Sequence, residues 1–128
     1  MKKLFLLSAV IIIMISACQN TNTNKEMNDN PFFSEWTTPY GVPPFDIIND
    51  KHFIPAFEKG IESQNKEIEA IVTNPEPPTF ANTIVALDKS GGDLAKVSGV
   101  FFNLTEANTS DEITKITGII APKLANHN

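Results

Sequence analysis

The stretch PTFANTIVALDKSGGDLAKVSGVFFNLT, residues 78–105, reads as two helices back to back, hinged at a glycine pair. Thr79 is placed to cap the first helix, because its hydroxyl can accept an otherwise orphaned N–H at a helix start. Phe80, Ile84 and Leu87 recur at steps of four and three, which puts them on one helical face. Ser90, Gly91 and Gly92 end that helix, since glycine enters the left-handed cap without a Cβ penalty. Leu94, Val97, Phe101 and Leu104 then resume at helical spacing. The pattern predicts an αα-hairpin whose two apolar faces both need partners.

Upstream, Asp50 opens a helix predicted to run to about Thr73. Phe53, Phe57, Ile61, Ile68 and Ile71 form its stripe, while Glu58, Glu62, Lys66, Glu67 and Glu69 face outward. Pro55 sits early, where its missing N–H matters least, and Asn74-Pro75 ends the helix. Downstream, Thr109-Ser110-Asp111-Glu112 has the form of a capping box with Thr109 as the cap. Ile113, Ile116, Ile120 and Leu124 follow on one face, and Pro122 is expected to kink that helix or start another. Gly60, Gly99 and Gly118 all fall inside helices, where each costs about 1 kcal/mol relative to alanine. Three such residues predict close approach of packed helices. The fold class expected is all-α, with no strand alternation and no internal repeat.

Ahead of these helices, PFFSEWTTPYGVPPFD (residues 31–46) carries four of the nine prolines with Phe32, Phe33, Trp36, Tyr40 and Phe45. The prolines forbid a regular helix or a central strand. Rings at this density predict an extended strap docked into grooves, with an aromatic ligand cage as the alternative. Residues 18–30 are polar and aperiodic, a tether unable to offset its ordering entropy by burial. Lys2 and Lys3 precede an apolar run over residues 4–15 that is too short to span a bilayer, which takes roughly 20 residues. With Ile15-Ser16-Ala17-Cys18 this makes residues 1–17 a bacterial lipoprotein signal peptide, with Cys18 lipidated. An ordinary cleaved signal with an incidental cysteine is the alternative. Gln19, in place of an Asp retention signal, favours the outer membrane over other lipid-anchored positions in the envelope.

Past the signal, eight lysines stand against fifteen acids, a formal charge of −7, and the chain has no arginine. Such a surface repels polyanions and lacks the bidentate phosphate-binding side chain, so nucleic acid is excluded as a partner. With Cys18 lipidated no thiol remains for catalysis, metal or disulfides. His52 and His127 lack the spacing of a zinc site, and no HExxH occurs. Glu58, Glu62 and Glu67 read as a solvated charged face. No catalytic, cofactor-binding or metal-binding residue can be assigned from these patterns.

The strings PFFSEWTTPYGVPPFDII, HFIPAFEKGIESQNKEIEAIVTNPEPPTFANTIVALDKSGG and VSGVFFNLTEANTSDEI resemble the start of the bacterial peptidyl-dipeptidases of the thimet oligopeptidase family. PPFD, HFIPAFE, PTFANTIVALDKSG and VFFNL keep the family's order and spacing, and the resemblance covers residues 30–128. It implies that residues 31–128 are the N-terminal helical part of a larger zinc metallopeptidase, a wall of its substrate channel. Short peptides would lose C-terminal dipeptides there. Zinc would be held by the two His of HExxH and a later Glu, none of which this chain contains, so the chain is not expected to act alone and its missing partner is the catalytic portion. Phe53, Phe57, Phe80, Ile84, Phe101 and Leu104 are expected to carry the structure. Four apolar stripes and a strap call for more partner surface than this length provides, so the chain alone is expected to be molten or self-associating. A non-catalytic lipoprotein serving as a helical scaffold, and a functionless remnant, are the other readings.

Overall fold

The computed structural model of the chain describes residues 29–127. Cys18, the signal peptide and most of the tether lie outside the described residues. The architecture is all-α: after short 3-10 turns at Pro31–Phe33, Pro39–Gly41 and Asp50–His52 come four helical segments. They are α1 (Phe53–Val72), α2 (Phe80–Val85, continued by Ala86–Lys89), α3 (Gly92–Ala107) and α4 (Asp111–His127). No strand occurs among the described residues.

Helix α1 packs mainly along α3, and α4 closes over both. Phe53 and Phe57 of α1, Val97 and Phe101 of α3, and Ile113, Ile116 and Ile120 of α4 make the buried core. This follows the expected stripes of α3 and α4, with Leu94, Leu104 and Leu124 packed at its edge. Of the α1 stripe only Phe53 and Phe57 enter it, whereas Ile61, Ile68 and Ile71 are half-buried outside it. Phe101 is at its centre: its ring centroid lies 5.0 Å from Phe53, 5.3 Å from Phe57 and 5.4 Å from Phe102, all edge-on. Such offset geometries add to the area the rings bury. α1 and α3 come close because Gly60 has no side chain. A Cβ there would stand 2.8 Å from the Leu94 Cα and 2.9 Å from its N. Gly99 and Gly118 open onto empty space, so the expected close approach is made by one glycine of the three.

The hairpin turn between α2 and α3 is built as its glycines predict. Gly91 has φ 77° and directs its N–H to Glu67 Oε2 at 2.7 Å. Its α-carbon lies against Gln64, whose Nε2 would be 2.5 Å from any added Cβ. Glu67, read from the sequence as a solvated charge, therefore ties α1 to the turn. Thr79 caps α2: its Oγ1 accepts the Asn82 N–H at 3.1 Å, and Asn82 Oδ1 accepts the Thr79 N–H at 2.7 Å.

Three expectations at the helices change. At the start of α4 the cap is Ser110, whose Oγ accepts the Ile113 N–H at 3.1 Å. The helix begins one residue later than a Thr109 cap requires, which moves Glu112 out of the reciprocal position to pair with Lys115 at 3.1 Å. Pro122 neither ends α4 nor starts another helix. Its ring replaces the N–H that would have bonded the carbonyl of the residue four back, here Gly118. Phe80 and Ile84, expected to carry the structure, point outward. α2 lies against α1 through its small and polar side, described below.

The strap divides in two. Phe32 inserts beside Phe53 at 5.6 Å and Trp36 stacks edge-on against Phe32 at 6.0 Å. The Trp36 indole N–H donates to the Pro31 carbonyl at 2.9 Å. Lys96 of α3 fastens this half: its ammonium donates to the carbonyls of Phe32 (3.2 Å) and Ser34 (2.6 Å) and lies 4.4 Å from the Trp36 ring centre. Burial pushes the Lys96 pKa down from 10.5, opposed by Asp93 and Glu35. The second half is not docked as expected. Tyr40, Val42, Phe45 and Ile47 are exposed, and Tyr40 and Gly41 turn the chain with φ of 62° and 67°. Pro44 alone is buried there. The rings do not converge into a cage.

Lys96→Met keeps the stem but removes both hydrogen bonds and the cation over the indole. We expect a loss of about 1–3 kcal/mol and a red shift in the emission of Trp36, the single tryptophan. Lys115→Met is the control, and equal emission from the two variants would disprove the clamp.

Candidate functional site

The ionisable groups singled out in the sequence are each engaged by a neighbour. His52 is buried at the N-terminus of α1, where its Nδ1 accepts the Asn49 N–H at 3.2 Å, closing a capping box. The His127 Nε2 lies 2.7 Å from Gln64 Oε1. Glu58 pairs with Lys123 across α1 and α4. Glu62 pairs with Lys66, whose hydrogen bond and charge hold the Glu62 carboxyl below its usual range, with Lys59 assisting. Among the described residues no group of three His, Cys, Asp or Glu side chains lies together as a metal site. No helix among them is long and apolar enough to cross a membrane.

His52 carries a pH dependence. Burial first, and Lys51 second, lower its pKa from 6.5. The unfolded chain therefore takes up the proton before the folded one does, and stability is lost as pH falls below about 6.5. It is fully present above that value. Protonation also removes the Nδ1 acceptor of the capping box. We expect the thermal midpoint to drop between pH 7.5 and 5.5. In His52→Gln, which can still accept the Asn49 N–H, the drop should be smaller. An identical slope in both proteins would exclude His52 as a source.

Part of what the fold presents outward is apolar. α2 meets the end of α1 across a shallow groove, to which Glu67, Ala70, Ile71 and Asn74 contribute from α1 and its cap, and Asn82 and Ala86 from α2. With these small and polar groups turned inward, Phe80, Ile84 and Leu87 stand on the free side, 74%, 51% and 52% exposed. The segment Phe80–Val85 is wound as a π-helix, a rare geometry that gathers at functional positions. Periodicity found this face correctly as one stripe. It had no means of telling which side of the helix α1 would take. Lys96 and Gln64 were also missed, because their partners lie far away in sequence.

No family model matches the chain. It is 42% identical over 99 residues to the dipeptidyl carboxypeptidase of Salmonella typhimurium, covering 77% of this chain and 15% of that protein. To the dipeptidyl carboxypeptidase of Escherichia coli K12 it is 44% identical over 96 residues, 75% of this chain and 14% of the relative. The match thus spans about one seventh of each relative's length. Identity at this level over so long a stretch bears out the resemblance carried by the PPFD, HFIPAFE, PTFANTIVALDKSG and VFFNL motifs.

Proposed function

We propose that this chain, as a homologue of the dipeptidyl carboxypeptidases, is the front helical portion of an enzyme that removes C-terminal dipeptides from short peptides. In this reading it supplies a wall of the substrate channel and a scaffold, and no catalytic group. The observation that supports it most directly is the identity of 42–44% across about three quarters of the chain. Zinc is the metal implied by the family resemblance, there to activate water and polarise the scissile carbonyl. The described residues do not fit it: both histidines already have partners, the Glu58, Glu62 and Glu67 carboxylates are tied to lysines or to the hairpin turn, and no three His, Cys, Asp or Glu side chains lie together. No step of the reaction is assigned to them. A lipid on Cys18 would hold the protein in the bacterial envelope, at the outer membrane, with the polar residues 18–30 as the spacer.

The test is the size and activity of the native product. Membrane fractions blotted with an antibody against residues 51–108 should show a band several-fold heavier than 14.1 kDa. The same fractions should release C-terminal dipeptides from short peptides in a chelator-sensitive way and carry a fatty-acid label lost in Cys18→Ser. A band near the mass of this chain would overturn the reading.

A further inference from the structure

We propose that residues 37–47 of the strap, led by Tyr40, Val42 and Phe45, form a membrane-contact loop that lies in the interfacial layer of the bilayer holding the lipid of Cys18. The proposal rests on the lipidation of Cys18 and not on peptidase activity. It adds a second point of contact, one that sets how this unit faces the bilayer.

The side chains of the loop suit that layer. Residues 36–45 carry no charge, and Tyr40, Val42, Phe45 and Ile47 all stand out into solvent. A tyrosine, with an apolar ring and one hydroxyl, fits the boundary between acyl chains and water. The backbone is equally prepared. Pro39, Pro43 and Pro44 have no N–H. The N–H groups of Gly41, Val42, Phe45, Ile47 and Ile48 donate to the carbonyls of Thr38, Pro39, Pro43 and Pro44, at 2.8–3.4 Å. Unpaired backbone donors are what keep an irregular loop out of an apolar layer, and here five of them are satisfied within the loop.

The tip stands on a fixed base. Lys96 holds the near side through the Phe32 and Ser34 carbonyls and the Trp36 ring. On the far side Pro44 is buried and Ile48 packs against the core. Between them Tyr40 keeps a φ of 62°, the one positive φ outside glycine among the described residues. Bulky residues seldom adopt it, and such outliers gather at functional positions. Proximity selects the bilayer as the partner. Residues 19–30 separate Cys18 from Pro31, a span of at most about 45 Å at full extension. A lipid on Cys18 therefore holds the strap at high local concentration beside the membrane. With fifteen acids against eight lysines past the signal, the contact is apolar and draws nothing from anionic headgroups.

The experiment places a photo-reactive residue at the tip, Tyr40→p-benzoylphenylalanine, in cells making the native product, followed by irradiation and mass spectrometry of the adducts. Phe45→p-benzoylphenylalanine repeats it at a second exposed position, and Lys66→p-benzoylphenylalanine, on the charged face of α1, is the control. Phospholipid adducts should be several-fold more abundant from positions 40 and 45 than from position 66. Equal lipid yields from the three would overturn the proposal. So would tip adducts formed mainly on peptides, whether of the same polypeptide, a second copy or another protein. The fatty-acid label on Cys18 is followed in the same cells. Label without lipid adducts at the tip removes the strap contact and leaves the anchor standing. Absence of both removes the anchor, and the proposal falls with it.

Discussion

Phe101→Ala is expected to cost the native product about 3–5 kcal/mol of folding stability. Phe101 has no exposed surface and contacts rings from both α1 and its own helix. Its removal deletes one of the three fully buried phenylalanines of the core and leaves a cavity between the other two, Phe53 and Phe57. Domains of this size have only about 5–15 kcal/mol in total, so little would remain. Urea unfolding followed by far-ultraviolet circular dichroism gives the number. Phe102→Ala sets the scale: the neighbouring ring is 42% exposed and should cost well under half as much. If the two variants unfold at the same urea concentration, the core is not centred where we place it.

Gly60→Ala decides between two opposed effects. Helix propensity alone makes the change favourable by about 1 kcal/mol. Packing makes it unfavourable, because the new methyl would lie 2.8 Å from a backbone atom of Leu94, which cannot rotate aside. Overpacking of this kind costs about 1–3 kcal/mol or more, and the main α1–α3 contact would have to open along its length. We expect a net loss of about 1–2 kcal/mol once propensity is subtracted. Gly99→Ala and Gly118→Ala meet open space and should gain up to about 1 kcal/mol each. The three substitutions are chemically identical, so a difference in sign isolates the contact. Stabilisation by Gly60→Ala would show that the helices are further apart than described.

The helices were legible because their signals are local. The stripes of α1, α3 and α4, the Thr79 cap and the left-handed glycine at position 91 each depend on residues within one or two turns. What escaped depends on distance in the chain. Glu67 reaches Gly91 across 24 positions and Lys96 reaches the strap across more than 60, and no spacing rule connects such pairs. The capping error is of a different kind: Thr109 and Ser110 are both good caps, and a single residue of register chose between them. The three interior glycines were indistinguishable as letters, and only the neighbour at Gly60 separates them. No periodicity or motif in the sequence gathers the acids and histidines. The candidate face was half visible, as a stripe whose direction the pattern leaves open.

The π-winding of Phe80–Val85 has a consequence for how this surface could vary. A π-turn amounts to an α-helix with one residue too many. Losing a residue between Thr79 and Ile84 would tighten the wide turn to regular winding, and the tightening would absorb the loss, so that Ile84 and Leu87 kept their bearing. The same loss from a regularly wound helix would turn everything after it by roughly 100° about the axis. The wide turn is thus the place in α2 where length can change without re-aiming the patch.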